Sequence, residues 1–496
     1  MAIKRYQSNA DNTITNAFKS NLETRGTNAN MGASDVLETF SIYGQASSGS
    51  TELTRILLNF PITNVSQDRA AGLIPGAGDV EFYLKMYNAR HSQTIPLDLE
   101  LNVFAVSRSW QEGTGLDMDE YKDTVKQGDI GSTWISASST EAWSRPGGDY
   151  HVSPSYSQKF DKGTENLNIN VTSLVEEWLA GTKQNYGFGI HISSSQEAYY
   201  SGSAGQDSPD GQLNNLSGSR TSYYTKKFFG RNSEFYFSRP VLEARWNSTF
   251  KDDRGNFYAS SSLLPAEENL RSLFLYNELN GRMFDLPGAP AGTASVRIYT
   301  TADGTEQVGS DIEATRVSKG VYQATFALDT TASVLYDRWF NQLFTECYHT
   351  GTFSIKEHNV SNHNPYPTYV TNLTNLRPIY YPHERTRFRF YVREKDWCPT
   401  IYTVATKEND TLIIESASFQ VHRVIDDLVI VPFSSGTDMS TQMSYDVSGN
   451  YFDLDMGLLQ PGYSYGIKLS YFNETVQSYV EQPYEWKFRV EELDER

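Results

Sequence analysis

The sequence predicts an all-β protein, and three observations predict it. Aromatic residues make up 13% of the 496-residue chain, with 32 Tyr and 26 Phe. They are interspersed with Ser, Thr, Asn and Gly, a balance that favours strands and loops over helices. Apolar residues recur with period two: in PLDLELNVFAV (96–106), Leu97, Leu99, Leu101, Val103 and Ala105 fall on one side, and Asp98, Glu100 and Asn102 on the other. Turn pairs such as Asp-Gly and Pro-Gly separate many of these runs.

In chain order, strand-like runs occur at 54–62, 80–89, 96–106, 186–193 and 240–246, then at 294–301 and 320–328. They resume at 386–393, 410–424, 427–433, 463–472 and 485–492. The best helix candidate is NVTSLVEEWLAG, with Thr172 or Ser173 as N-cap, Glu176 completing a capping box and Gly181 at the exit. Leu174, Val175, Trp178 and Leu179 form one apolar face, which suits a lid on a sandwich core. Residues 193–222 are polar and glycine-rich without hydrophobic period, so a long surface loop is expected, of a length that is usually functional or mobile.

A prior of ~100–200 residues per domain gives about three domains. The strand rhythm breaks near 250, at FKDDRGNFY, and again at 365–383, where prolines accumulate. The expected division is a jelly-roll-like β-sandwich over 1–250 and two immunoglobulin-like β-sandwich domains over 251–378 and 379–496. Neither of the last two has a Cys-Trp-Cys pattern, so the expectation concerns architecture and not immunoglobulin ancestry.

The net charge of −18 argues against a protein that grips nucleic acid or anionic lipid through its general field. Cys347 and Cys398 are the sole cysteines; they form no disulfide framework or zinc motif, and buried free thiols are the favoured reading over a bridge. The N-terminal MAIKRYQSNADNTITNAF has no apolar signal core and no long apolar run follows, so neither a membrane span nor signal-peptide export is expected.

Chemistry has few footholds. WQEGTGLDMDEYKD (110–123) could hold calcium through Asp117, Asp119 and Glu120, with Gly113 and Gly115 allowing the turn, but it lacks EF-hand spacing. The favoured alternative is a core Trp110 beneath a solvated acidic loop, with Glu112 accepting backbone N–H groups at a strand end. Asp207, Asp210, Asp252 and Asp253 look like turn chemistry, and Asp453 and Asp455 like the outer face of a strand. The nearest grouping of histidines, His349, His358 and His363, follows no metal spacing, and no G-x-S-x-G or phosphate-binding glycine loop is present. Tyr199, Tyr200, Tyr223 and Tyr224 flank the polar loop and could stack on sugar rings; at strand spacing, aromatics more often form core or subunit interface.

The order TRILLNFPI, FYLKMYNA, LNVFAVSRSWQEG, TWISASSTEAW, LNINVTSLVEEWLAGTKQNYGFGIHIS and RPVLEARW, within residues 1–246, resembles the DNRLRE, or disaggregatase-related, β-sandwich family. The family's naming motif is not recognisable here, and the stretch from 112 to 151 is longer than its usual gap. EGTGLDMDEYKD, AWSRPGGDYH, RNSEFYFSRPVLEARW, DDRGNFYASSS and SYDVSGNYFDLDMGLLQPGYSYGIK are similar to phrases of tailed-phage virion proteins, particularly those of marine phages. That resemblance implies a virion location and a non-enzymatic structural role at the neck, tail or capsid surface, with other virion proteins and further copies of the chain as partners. It implies no catalytic residues and no cofactor beyond the calcium considered above. The alternative expectation is a carbohydrate-binding adhesin for host cell-surface polysaccharide.

Overall fold

In the computed structural model, the described residues are 3–47, 49–90, 95–116, 131–280, 282–287, 293–356, 367–395, 411–434 and 438–492. The chain divides into two compact units, 2–246 and 247–496. Both are built from β-sheets, as the alternation predicts.

The first unit contains β1 (Ile3–Gln7), β2 (Ala10–Thr15), β3 (Val36–Tyr43), β4 (Thr51–Asn59), α1 (Ile62–Ala70), β5 (Val80–Met86), β6 (Leu99–Val106), β7 (Tyr150–Phe160), β8 (Leu167–Asn170), α2 (Thr172–Leu179), β9 (Phe188–Ile192), β10 (Tyr223–Phe229) and β11 (Val241–Trp246). A four-stranded sheet, β1-β11-β5-β8, faces a seven-stranded one, β10-β3-β4-β9-β6-β7, in which β2 also pairs with β4. Phe82, Leu84 and Leu242 from the first sheet meet Ile56, Leu101, Val103 and Phe188 from the second in one buried core, the interdigitation expected of a sandwich. In β6 the core-facing set starts at Leu99; Leu97 lies before the strand and is exposed.

The predicted helix forms as α2, and Leu174, Val175 and Trp178 enter the inter-sheet core. Gly181 leaves it with φ +72°, the left-handed exit that glycine tolerates. The predicted capping box does not form. The N-cap residue is Val171, without a side-chain cap bond. Thr172 Oγ1 instead donates to Asn170 Oδ1 and accepts from the Phe82 N–H, tying the helix to β5. Glu176 is drawn into a bidentate pair with Arg69 of α1 (2.9 and 2.6 Å). A guanidinium in reach outcompetes a backbone N–H for a carboxylate.

The second unit begins with β12 (Phe257–Tyr258), β13 (Arg271–Tyr276), β14 (Glu278–Leu279), β15 (Arg282–Met283), β16 (Thr293–Tyr299), β17 (Gln307–Ser318), β18 (Val321–Phe326), β19 (Val334–Phe340) and β20 (Cys347–Lys356). Seven of these run in the order β12-β20-β19-β16-β17-β18-β13. Long β17 pairs β16 from Gln307 to Thr315 and β18 from Ala314 to Ser318. Strands from both ends of that path contribute to one core, including Leu273, Val296, Tyr322, Trp339 and Phe353, so the sheet folds over itself.

It continues with β21 (Tyr369–Leu373), β22 (Ile379–Tyr380), β23 (Arg385–Glu394), β24 (Ala417–Arg423), β25 (Leu428–Val431), β26 (Ser444–Asp446), β27 (Gly449–Asp455), β28 (Ser464–Asn473) and β29 (Ser478–Val490). These form a four-stranded sheet, β21-β23-β27-β26, and a five-stranded one, β22-β29-β28-β24-β25. Phe419 of β24 stacks on Phe452 of β27 at 3.7 Å, and Phe388 of β23 meets Phe488 of β29 at 5.8 Å. Aromatic contacts thus join the two sheets across their shared core.

Candidate functional site

The base of the acidic loop is built around Asn30. Its Nδ2 donates to the carbonyls of Glu112 and Ser132 (both 2.7 Å), and its Oδ1 accepts from the N–H groups of Gly32 and Gly115 (both 3.1 Å). Gly113, Gly115 and Gly131 press so closely on this side chain that a Cβ at any of them would overlap it or its backbone. The two flanks of the loop therefore meet on one amide. Glu112 takes the expected part: Oε1 accepts from the Asp11 N–H at 2.9 Å, and both carboxylate oxygens accept from Arg231 (3.0 and 2.9 Å). Asp11 accepts from the Arg231 N–H; burial pushes its carboxyl up to about 7 despite that bond. Asp117, Asp119 and Glu120, the calcium candidates, lie outside the described residues. Trp110 is half-buried, and its Nε1 donates to the Tyr186 carbonyl at 2.8 Å.

A second core lies apart from the inter-sheet one. Trp134, Trp143, Leu53, Leu57, Val106 and Leu213 form it. Sunk beside it is a charged cluster that the motif search does not find. Arg55 of β4 binds both oxygens of Glu197 (3.1 and 3.3 Å) and the Gly147 carbonyl (3.2 Å), with its guanidinium 5.5 Å from the Trp134 ring. His191 of β9 stacks on Phe104 at 5.0 Å and shares its Nδ1 with the Ile192 carbonyl (2.9 Å). Burial first, and Arg55 second, press the His191 pKa down to about 4. Burial pushes the Tyr150 hydroxyl up to about 12, and that hydroxyl donates to the Gly147 carbonyl. The sequence signal was there: Arg55 interrupts the apolar run TRILLNF at a position whose neighbours are buried.

The polar segment 193–222 is pinned to this face. Ala198 and Leu213 are buried, Trp134 Nε1 donates to the Gly211 carbonyl at 2.7 Å, and Arg145 clasps Asp207 with two bonds (2.7 and 2.9 Å). Bridges join Ala198 to Ser219 and Tyr200 to Asn215. The four flanking tyrosines differ in exposure. The Arg220 guanidinium lies 4.8 Å from the ring centroid of Tyr199, Tyr200 is half-buried, and Tyr223 leans on the inter-sheet core. Tyr224 is 49% exposed.

The remaining acidic residues mostly follow turn and strand chemistry. Asp252 accepts from the Arg254 N–H, Asp455 from the Gly457 N–H, and Asp453 pairs with Arg387. Asp253 goes further: it is buried, accepting from the Ser272 N–H and the Tyr445 hydroxyl (2.7 and 2.8 Å), and so links β13 to β26. Cys347 corrects the expectation of a buried thiol. It starts β20 on the solvent side and is exposed; Cys398 lies outside the described residues, as do His358 and His363.

In the second unit, β28 and β29 form a long hairpin whose tip carries apolar side chains into solvent. Phe472 packs edge-on against Tyr479 at 5.4 Å, while Val476, Tyr479 and Val480 are 58%, 40% and 42% exposed. Asn473 Oδ1 holds the turn by accepting from the N–H groups of Thr475 and Val476 (2.9 and 3.2 Å). Behind the tip, buried Tyr471 bonds Thr371 through its hydroxyl (2.9 Å), so the arm is rooted in the facing sheet.

Among the described residues, no group of three or more His, Cys, Asp or Glu is placed to hold a metal. No helix among them is long and apolar enough to cross a membrane. No protein-family model and no curated protein matches the chain. Among solved structures, trypsin-activated alpha-2-macroglobulin from Escherichia coli is similar at 12% identity over 82% of this chain and 30% of its own, with a TM-score of 0.16. The chain thus spans less than a third of that protein's length. A DUF4785 family protein from Legionella pneumophila is similar at 9% identity over 92% of this chain and 90% of its own, with a TM-score of 0.13. Neither similarity carries weight for function.

Proposed function

We propose that this chain is a non-enzymatic structural component of a tailed-phage virion, at its neck, tail or capsid surface, and that it docks neighbouring subunits. The virion assignment rests on the sequence phrases quoted above. The docking assignment rests on one observation, the β28–β29 hairpin: a rooted arm whose tip exposes Val476, Tyr479 and Val480. Clustered apolar and aromatic side chains on a rigid element are the usual anchors of a subunit contact. A ring or fibre of identical chains is the assembly such an arm suits.

Mass spectrometry of purified particles is expected to find this chain in stoichiometric amounts; particles complete without it would sink the assignment. Val476→Asp with Tyr479→Asp is expected to leave the isolated protein folded and to abolish its incorporation. A second reading, recognition of cell-surface polysaccharide, is favoured by the exposed ring of Tyr224 beside the polar segment. It expects glycan-array binding that Tyr224→Ala abolishes.

A further inference from the structure

Lys226 of β10 is fully buried, yet no carboxylate binds its ammonium group among the described residues. Its Nζ lies 2.6 Å from Asn88 Oδ1 and 2.7 Å from each of the carbonyl oxygens of Gly163 and Glu165. The rings of Phe160 and Phe228 close the site, with centroids 4.9 and 5.0 Å from Nζ. Asn88 is held in place by its own backbone: its N–H donates to Asn166 Oδ1 at 2.8 Å, and Asn88 forms a bridge with Phe228. Glu165 completes the group. Its Oε1 accepts from the Lys162 N–H, while its Oε2 is buried without a hydrogen-bond partner. An amine and a carboxamide thus meet in a buried pocket, with the half-buried Glu165 carboxylate beside it, near enough to favour the lysine's charge.

We propose that Lys226 and Asn88 condense into an intramolecular isopeptide bond, with the Glu165 carboxylate carrying the proton. The neutral amine attacks Cγ of Asn88, forming the Nζ–Cγ bond. Glu165 takes a proton from Nζ and delivers it to Nδ2, the Cγ–Nδ2 bond breaks, and ammonia leaves. One amide replaces another, so no oxidant or further reactant is needed. The pocket supports each part. Burial presses the Lys226 pKa down to about 7, so the amine is substantially neutral near neutral pH. Partial burial raises the Glu165 carboxyl, but the Lys162 N–H, its own N–H and the Lys226 charge outweigh that and keep it ionised, ready to accept a proton. Fixed neighbours at bonding distance replace a bimolecular encounter with a local one. The product would bolt β10, an edge of the seven-stranded sheet, to the chain leaving β5 of the facing sheet, closing a loop of 138 residues.

The test is intact-mass and peptide mass spectrometry on the full chain. The purified protein is expected to be lighter than its sequence mass by one ammonia, and a tryptic digest to contain one branched peptide joining Asn88 to Lys226. Asn88→Asp is expected to lose water instead of ammonia. Glu165→Gln, which keeps the backbone carbonyl, is expected to stay at its full mass while folding normally by circular dichroism. A wild-type chain at full sequence mass, with Asn88 and Lys226 in separate linear peptides, would overturn the bond. Cross-linking in Glu165→Gln would overturn the role given to Glu165.

Discussion

His191 sits where a charge is costly, against Phe104, Tyr150 and Arg55, with Glu197 and the Ile192 carbonyl to favour it. Its folded pKa of about 4 lies below the ordinary 6.5. Between these values the unfolded chain binds a proton that the folded chain refuses, so the stability tied to this group is full above 6.5 and is lost as pH falls toward 4. The loss is roughly 3 kcal/mol at most. Asp11 runs the other way: its folded carboxyl keeps a proton up to about 7, so its share of stability declines as pH rises from 3.8 toward that value. Comparing wild type with His191→Phe cancels Asp11 and isolates the histidine. Phe retains the ring stacking without titrating, and urea melts are expected to show a flatter pH dependence for the variant between pH 6.5 and 4. An unchanged slope would remove His191 from the acid response. At this scale the sequence was half legible. Glu112 could be singled out because it follows strand β6 and stands beside a glycine turn. Arg55 left a trace as a cation among buried neighbours, but Glu197 and Lys226 did not, because their partners lie far along the chain: 142 residues from Glu197 to Arg55, and 61 and 138 from Lys226 to Glu165 and Asn88.

An alternating element such as β6 was readable because one face is buried and the other is half-exposed, and β11 and β28 were readable as mostly buried runs. Edge strands were not. In β7, YHVSPSYSQKF leaves most residues half or fully exposed, and β20, flanked on one side only by the two-residue β12, does the same, so neither has a buried face to impose a pattern. Helix α1 escaped for a related reason. Only Ile62 and Val65 of ITNVSQDRA are buried, too few to mark a helical stripe. The polar segment 193–222 looked like open loop because it is held by side-chain bonds to backbone and by Arg145–Asp207, which leave no periodic trace. The β28–β29 hairpin marks the opposite case: its strands were legible from alternation, but an apolar tip reads like any other turn until it is seen standing in solvent.

Over the whole molecule, composition was enough for the all-β class, and the break near 250 falls close to the division at 246/247. The second unit keeps its two sets of sheets, from 257–356 and 369–490, within one compact body that Asp253 and Tyr445 help to hold. Residues 2–246 and 247–496, produced separately, are expected each to unfold in one cooperative transition with fixed aromatic circular dichroism. A fragment lacking that signal would mean its core depends on the other. The net charge of −18 bears on association between copies rather than on fold.

Asn30 gives the first unit an unusual editorial freedom. Gly115 and Gly131 both close on it, so the described flanks on either side of 117–130 are fastened to one amide. Replacing residues 117–130 by a short Gly-Ser splice is expected to change unfolding free energy by only on the order of 1 kcal/mol, because the two flanks stay fastened at Asn30. Asn30→Ala, with the same segment intact, is expected to cost more by chemical denaturation, because it strands the Glu112 and Ser132 carbonyls and the Gly32 and Gly115 N–H groups. As long as that buckle stays closed, the spliced chain is expected to keep the sandwich folded.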